Sequence, residues 1–244
     1  MPAWIAVAVA ITLGAAVKGI TGMGLPPVAL PVMAIFIGVE DAVVVMAIPT
    51  VVTNLALVVD NWEVRRENPV LVPMVVTSVI GGALGAWLLT NLDDRAIAVL
   101  MALLVAAYVA SRVTGSQWTM SRRLVGVTAA PVGLVGGVLQ GATGLSGPWY
   151  GSYQHAMGLA APVFVFSIAA LFQFSSAAQV LGLAVLGRYD ARLFGLSVLA
   201  ATLAVTVVVG VRTLAPRIPR RAFDAMVLVV LVGSVAVMLV ESFS

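Results

Sequence analysis

Long apolar runs separated by short polar stretches set the pattern of this chain. Ala3 to Val17, Ala42 to Val59, Pro69 to Thr90, Ala96 to Ala110, Leu124 to Leu139, Ala160 to Leu186, Leu193 to Val211 and Ala222 to Val240 are nearly uncharged. Most are about 15 to 22 residues long, the length a helix needs to cross about 30 Å of hydrocarbon. The two-residue alternation of a barrel strand is missing, and the runs are too long for one. The pattern predicts an all-α integral membrane protein.

A Gly-rich polar segment interrupts this pattern twice, 122 residues apart. The first copy runs Lys18, Gly19, Ile20, Thr21, Gly22, Met23, Gly24, Leu25, Pro26; the second runs Gln140, Gly141, Ala142, Thr143, Gly144, Leu145, Ser146, Gly147, Pro148. Closely spaced glycines lose backbone entropy and proline removes a donor, so a break in the helix is expected in each copy. Broken backbone is tolerated at membrane depth only where protein or a water-filled cavity satisfies the freed amides. Paired Gly/Pro interruptions in two halves point to a transporter's binding site. The chain therefore divides into 1–122 and 123–244, each a broken hairpin followed by three membrane helices.

Arginines distinguish a kinked span from a hairpin that returns to its own side. With hairpins, Arg95, Arg188 and Arg192 share one face, and the other holds Arg65, Arg66, Arg112, Arg122, Arg123, Arg212, Arg217, Arg220 and Arg221. Kinked spans would divide them seven to five. The stronger bias favours hairpins, with the arginine-rich face cytoplasmic and both termini outside. Each half then makes an odd number of crossings, so the two repeats are inverted. MPAWIAVAVAITLG lacks a basic segment before its apolar run and reads as a first membrane helix, not a removable signal peptide.

Composition narrows the function. Charged residues are only 9% of the 244 and hydrophobic ones 61%, whereas soluble domains carry about a quarter charged residues. The absence of cysteine excludes disulfides and thiolate chemistry. His155 stands alone beside Trp149, Tyr150 and Tyr153, which reads as an interfacial aromatic belt, and neither a metal nor another cofactor is expected. The acidic residues all fall in loops or at helix ends, so a buried carboxylate proton relay has no support. No nucleophile is paired with a base within the helices, so an enzyme is not expected. The basic residues follow membrane topology, with no basic domain to track nucleic acid.

A duplicated membrane protein whose halves each open with such a segment resembles the TauE/SafE sulfite exporter family. The run Gly136, Gly137, Val138, Leu139 followed by the second copy carries most of the likeness, although Leu25 and Ser146 interrupt the family's run of glycines before proline. The resemblance implies transport of sulfite or organosulfonates such as sulfoacetate across a bacterial inner membrane. An anion channel of the same architecture and a non-transporting scaffold are the alternatives.

Broken helices offer free amides and the positive ends of half-helix dipoles to an anion. Lys18, the only lysine, either faces that anion or snorkels to the interface. Gln140 occupies its equivalent position and can donate. Thr21, Thr143 and Ser146 either donate to the anion or bond nearby carbonyls. Gly22 and Gly144 shape the backbone around it. Asn54 and Gln173 lie about thirty residues after each break inside apolar helices, where an unpaired amide is costly; they line the path or tie two helices together. The pairs Gly81 with Gly85 and Gly133 with Gly137 read as close helix packing.

Overall fold

The computed structural model describes residues 2–21, 24–114 and 119–214. Among them the chain is helical throughout, with α1 Ala3–Thr21, α2 Leu25–Ile37, α3 Val39–Asp60, α4 Leu71–Asn91, α5 Asp94–Thr114, α6 Arg122–Thr143, α7 Gly147–Ala156, α8 Ala161–Val185 and α9 Ala191–Leu214. A short 3-10 turn, Trp62–Val64, follows α3. Helices α1, α3, α4, α6, α8 and α9 are each long and apolar enough to cross a membrane. The chain is a multi-pass membrane protein. The expected run Ala222 to Val240 lies outside the described residues.

Both breaks are narrower than the Gly-rich segments. Helix α1 continues through Lys18, Gly19 and Ile20, and α6 continues through Gln140 and Gly141 to Thr143. Tertiary packing overrides the poor helix propensity of glycine here. A Cβ on Gly141 would overlap the Gly82 carbonyl oxygen, and one on Gly19 would lie 3.1 Å from the Val208 carbonyl oxygen. Only small residues let these backbones approach so closely.

The two limbs of each pair fold back on one another. Gly14 of α1 lies against Leu25 and Ala29 of α2, so α2 returns along α1. In the second half, Trp149 Nε1 donates to the Val132 carbonyl (2.9 Å), Tyr150 Oη to Gly133 (3.2 Å) and Tyr153 Oη to Val125 (2.7 Å). Helix α7 thus lies back along α6. Tyr150 and Tyr153 are buried, which corrects the interfacial reading of this aromatic cluster: the ring of Tyr150 occupies the space that Gly136 leaves open.

Helix α4 packs most closely on α6, as α9 packs on α1, and α4 lies on α8 as α9 lies on α3. Gly81 and Gly85 of α4 face Gly137 and Gly141 of α6 so closely that a methyl group on any of them would overlap facing backbone. The expected small-residue packing is therefore present.

Different chemistry closes the two ends. The α3–α4 connection is held by Asn68, whose Nδ2 donates to Gln154 Oε1 (3.2 Å) and Ser167 Oγ (2.9 Å), all three residues buried. At the opposite end, Arg188 pairs with Glu40, and Arg192 with Asp41 at 3.1 Å. Tyr189 there donates to the Val44 carbonyl (3.2 Å). Burial holds its phenol well above the ordinary range, so it remains a neutral donor.

Candidate functional site

The ends of the two broken segments meet in one small cavity of about 30 Å³. Its wall combines Lys18, Gly24, Pro26 and Pro27 from the first half with Gly144, Leu145, Ser146 and Gly147 from the second. Thr50 and Asn54 of α3 and Phe172 of α8 complete it, and no carboxylate among the described residues lines it. A larger cavity of about 380 Å³ lies between α5, α6 and α7, where Leu104, Met120, Val132 and Trp149 make it mainly apolar. No charged side chain among the described residues lines it, and of the two Gly-rich segments only Pro148 reaches it, so the smaller cavity is the candidate site.

Lys18 sits near the C-terminal end of α1, only 5% exposed, which removes it from the interfacial snorkel. Its Nζ donates to Asn54 Oδ1 at 2.6 Å. An ammonium can only donate, so this contact fixes the orientation of the Asn54 amide. Asn54 Nδ2 is left buried without a hydrogen-bond partner. The unsatisfied amide donor is costly until an acceptor arrives.

Two glycines make the turns. Gly24 (φ 111°) caps α2 and Gly144 (φ 70°) ends α6, both in the left-handed region that side chains avoid. No side chain caps the start of α2 or α7. Pro26 and Pro27 strip amide donors from the first turn of α2, whereas α7 loses only that of Pro148. The second break therefore offers more backbone donors and the first a full positive charge.

The remaining predicted positions divide. Ser146 is buried at the cavity and donates to Gln140 Oε1 at 2.7 Å. Gln140 stands behind it, outside the cavity wall, its Nε2 buried and without a partner. Thr143 donates to the Leu139 carbonyl (2.7 Å) and accepts from the Leu145 amide (3.1 Å), so its hydroxyl braces the turn. Gln173 is partly buried beside Phe172, with Oε1 unpartnered, and does not line the cavity. The side chain of Thr21 and the whole of Gly22 lie outside the described residues.

Thr50 and Phe172 were not picked out by the sequence pattern. They are 122 residues apart, the displacement of the two breaks, and that displacement is the signal that identifies them as a pair. It also matches Asn54 to Ser176, whereas Gln173 matches Val51.

The Sulfite exporter TauE/SafE family model matches residues 6–238, nearly the whole chain, and the chain belongs to that family. No curated protein and no solved structure matches it.

Proposed function

We propose that this member of the sulfite exporter family is a secondary transporter that carries small sulfur oxyanions across the bacterial inner membrane. The anion binds in the cavity where the two broken segments meet. The observation that carries this reading is Lys18: a buried ammonium held on Asn54 at 2.6 Å, in a cavity that no carboxylate among the described residues lines. A bound anion is held there by the Lys18 charge. Asn54 Nδ2 and the free amides at the start of α7 supply hydrogen bonds to its oxygens, joined by the Ser146 hydroxyl once it turns from Gln140 Oε1. Thr143 and Gly144 hold the turn, and Gln140 orients Ser146. The cycle makes and breaks no covalent bond, so the chain is not an enzyme and needs no cofactor.

Residues 1–122 and 123–244 act as two inverted repeats that rock about this site, each beginning with a re-entrant hairpin. The displacement of 122 residues places α1 on α6, α2 on α7, α3 on α8 and α4 on α9. The reciprocal packing of α4 on α6 and α9 on α1 supports the same two-fold relation. Arg65 and Arg66 belong to one end of the bundle, and Arg188 and Arg192 to the other, which supports a cytoplasmic arginine-rich face and periplasmic termini.

Uptake of labelled sulfite into proteoliposomes tests the proposal, with sulfoacetate and acetate as competitors. Saturable sulfite uptake, competed by sulfoacetate but not acetate and lost in Lys18→Ala, is expected. Uptake unchanged in Lys18→Ala overturns the central site, and single-channel currents overturn the rocking carrier.

A further inference from the structure

The second half carries its own version of the Lys18–Asn54 pair. The 122-residue displacement matches Lys18 to Gln140 and Asn54 to Ser176. In the first half the pair is joined at 2.6 Å. In the second, Gln140 Nε2 and Ser176 Oγ are both buried and both without a partner. Gln179 stands one helical turn beyond Ser176, fully buried, with Nε2 donating to the Gly141 carbonyl at 3.0 Å. A carbonyl only accepts, so this bond fixes the amide and leaves Oε1 as a buried acceptor with no partner.

Three unsatisfied polar groups thus lie on α6 and α8, two helices in contact and joined by the Gln179–Gly141 bond: one donor, one hydroxyl and one fixed acceptor. Native interiors leave few such groups unpaired, and each needs an explanation. Ser146 separates them from the central cavity, because it lines that cavity while its hydroxyl closes on Gln140 Oε1.

We propose that Gln140, Ser176 and Gln179 form a second anion position behind Ser146, selective for a singly protonated oxyanion such as hydrogen sulfite. This rests on the transport reading above and refines its substrate. Among the described residues the position has no cation, so a dianion there carries the penalty of an unpaired buried charge. Gln140 Nε2 and the Ser176 hydroxyl donate to the anion's S–O oxygens. Its single O–H donates to Gln179 Oε1. Sulfite dianion and alkyl sulfonates lack that hydrogen and leave the acceptor unpaired. Rotation of Ser146 away from Gln140 connects the two positions, so the anion steps from the charged half to the neutral half.

The test is uptake of sulfite and of methanesulfonate by the full-length protein in liposomes, on the acid and the alkaline sides of the hydrogen sulfite titration. Gln179→Leu is a well-matched variant because Leu57 stands at the equivalent place in the first half, and Ser176→Ala is the second. Expected for wild type is sulfite uptake that falls as pH rises while methanesulfonate uptake stays level. Gln179→Leu should lower acid-side sulfite uptake roughly tenfold, one hydrogen bond to a charged group, and leave methanesulfonate unchanged. A site that holds only water leaves both profiles unmoved in both variants, which overturns the proposal. Equal loss of both anions in Gln179→Leu also overturns it. Lys18→Ala separates the two levels: if it abolishes uptake while Gln179→Leu and Ser176→Ala change nothing, only the second position fails; if none of the three matters, the central site fails too.

Discussion

The two broken segments occupy equivalent places and solve the same problem with different chemistry. The first ends α1 with Lys18 and begins α2 with two prolines, so it offers charge and few amides. The second ends α6 with the neutral Gln140 and begins α7 with a single proline, so it offers amides and no charge. The differences at Lys18 against Gln140 and at Pro27 against Trp149 distribute attraction and orientation between them. The sharpest way to break this comparison is to remove each side chain in turn. Lys18→Ala should lower sulfite uptake at least about a hundredfold, the scale of losing one partner of a buried charged contact. Gln140→Ala should cost only about tenfold, as for a buried hydrogen bond. If both lose the same amount, the division of labour is wrong.

A change in Asn54 sharpens the same contrast. Asn54→Asp places a permanent carboxylate on the Lys18 ammonium, which now pairs at 2.6 Å with a neutral amide. The internal ion pair should raise thermal stability in detergent by roughly 1–3 kcal/mol while weakening sulfite binding by calorimetry. Ser176→Asp, at the matching place in the neutral half, should destabilise, because it buries a charge without a cation.

Much of this was legible in the chain. Six of the nearly uncharged runs located the apolar helices α1, α3, α4, α6, α8 and α9, and the displacement of 122 residues paired the breaks. Asn54 was visible because an amide inside an apolar helix is costly unless used. Thr50 was not, because its hydroxyl returns to the Met46 carbonyl (2.9 Å), the ordinary habit of a helical threonine. Phe172 was hidden because phenylalanine is unexceptional in a membrane helix. The limits of the breaks were hidden too, since helix continuity through Gly19 and Gly141 depends on partners distant in sequence, Val208 for one and Gly82 for the other.

The turns themselves respond next. Gly144 has φ 70°, and a Cβ there would lie 2.9 Å from Leu30 Cδ1. Gly144→Ala should cost about 1–2 kcal/mol in thermal stability from backbone handedness, with a loss of sulfite affinity because Gly144 lines the cavity. Gly187, also at positive φ (71°) but with open space around it, is the control. Its alanine variant should show the backbone cost alone, with sulfite affinity intact.

The smallest effects separate the two ends of the molecule. Arg188–Glu40 and Arg192–Asp41 are partly exposed ion pairs, and such pairs contribute about 0–1 kcal/mol each and weaken with salt. The Asn68 bridge is buried and neutral, so salt does not screen it. Removing Glu40 and Asp41 together as Gln and Asn should therefore shift thermal stability slightly and make the remaining profile less sensitive to salt. Asn68→Ala strands Gln154 and Ser167 without that donor and should cost about 1–3 kcal/mol at every salt concentration. If the protein rocks about its central cavity, each closure opposes opening at its own end. Cysteines placed at the outer ends of α3 and α8 should then become more reactive to a water-soluble thiol reagent at the end whose closure was removed, and at that end alone. Equal reactivity at both ends would mean that these contacts fasten loops without gating the cavity.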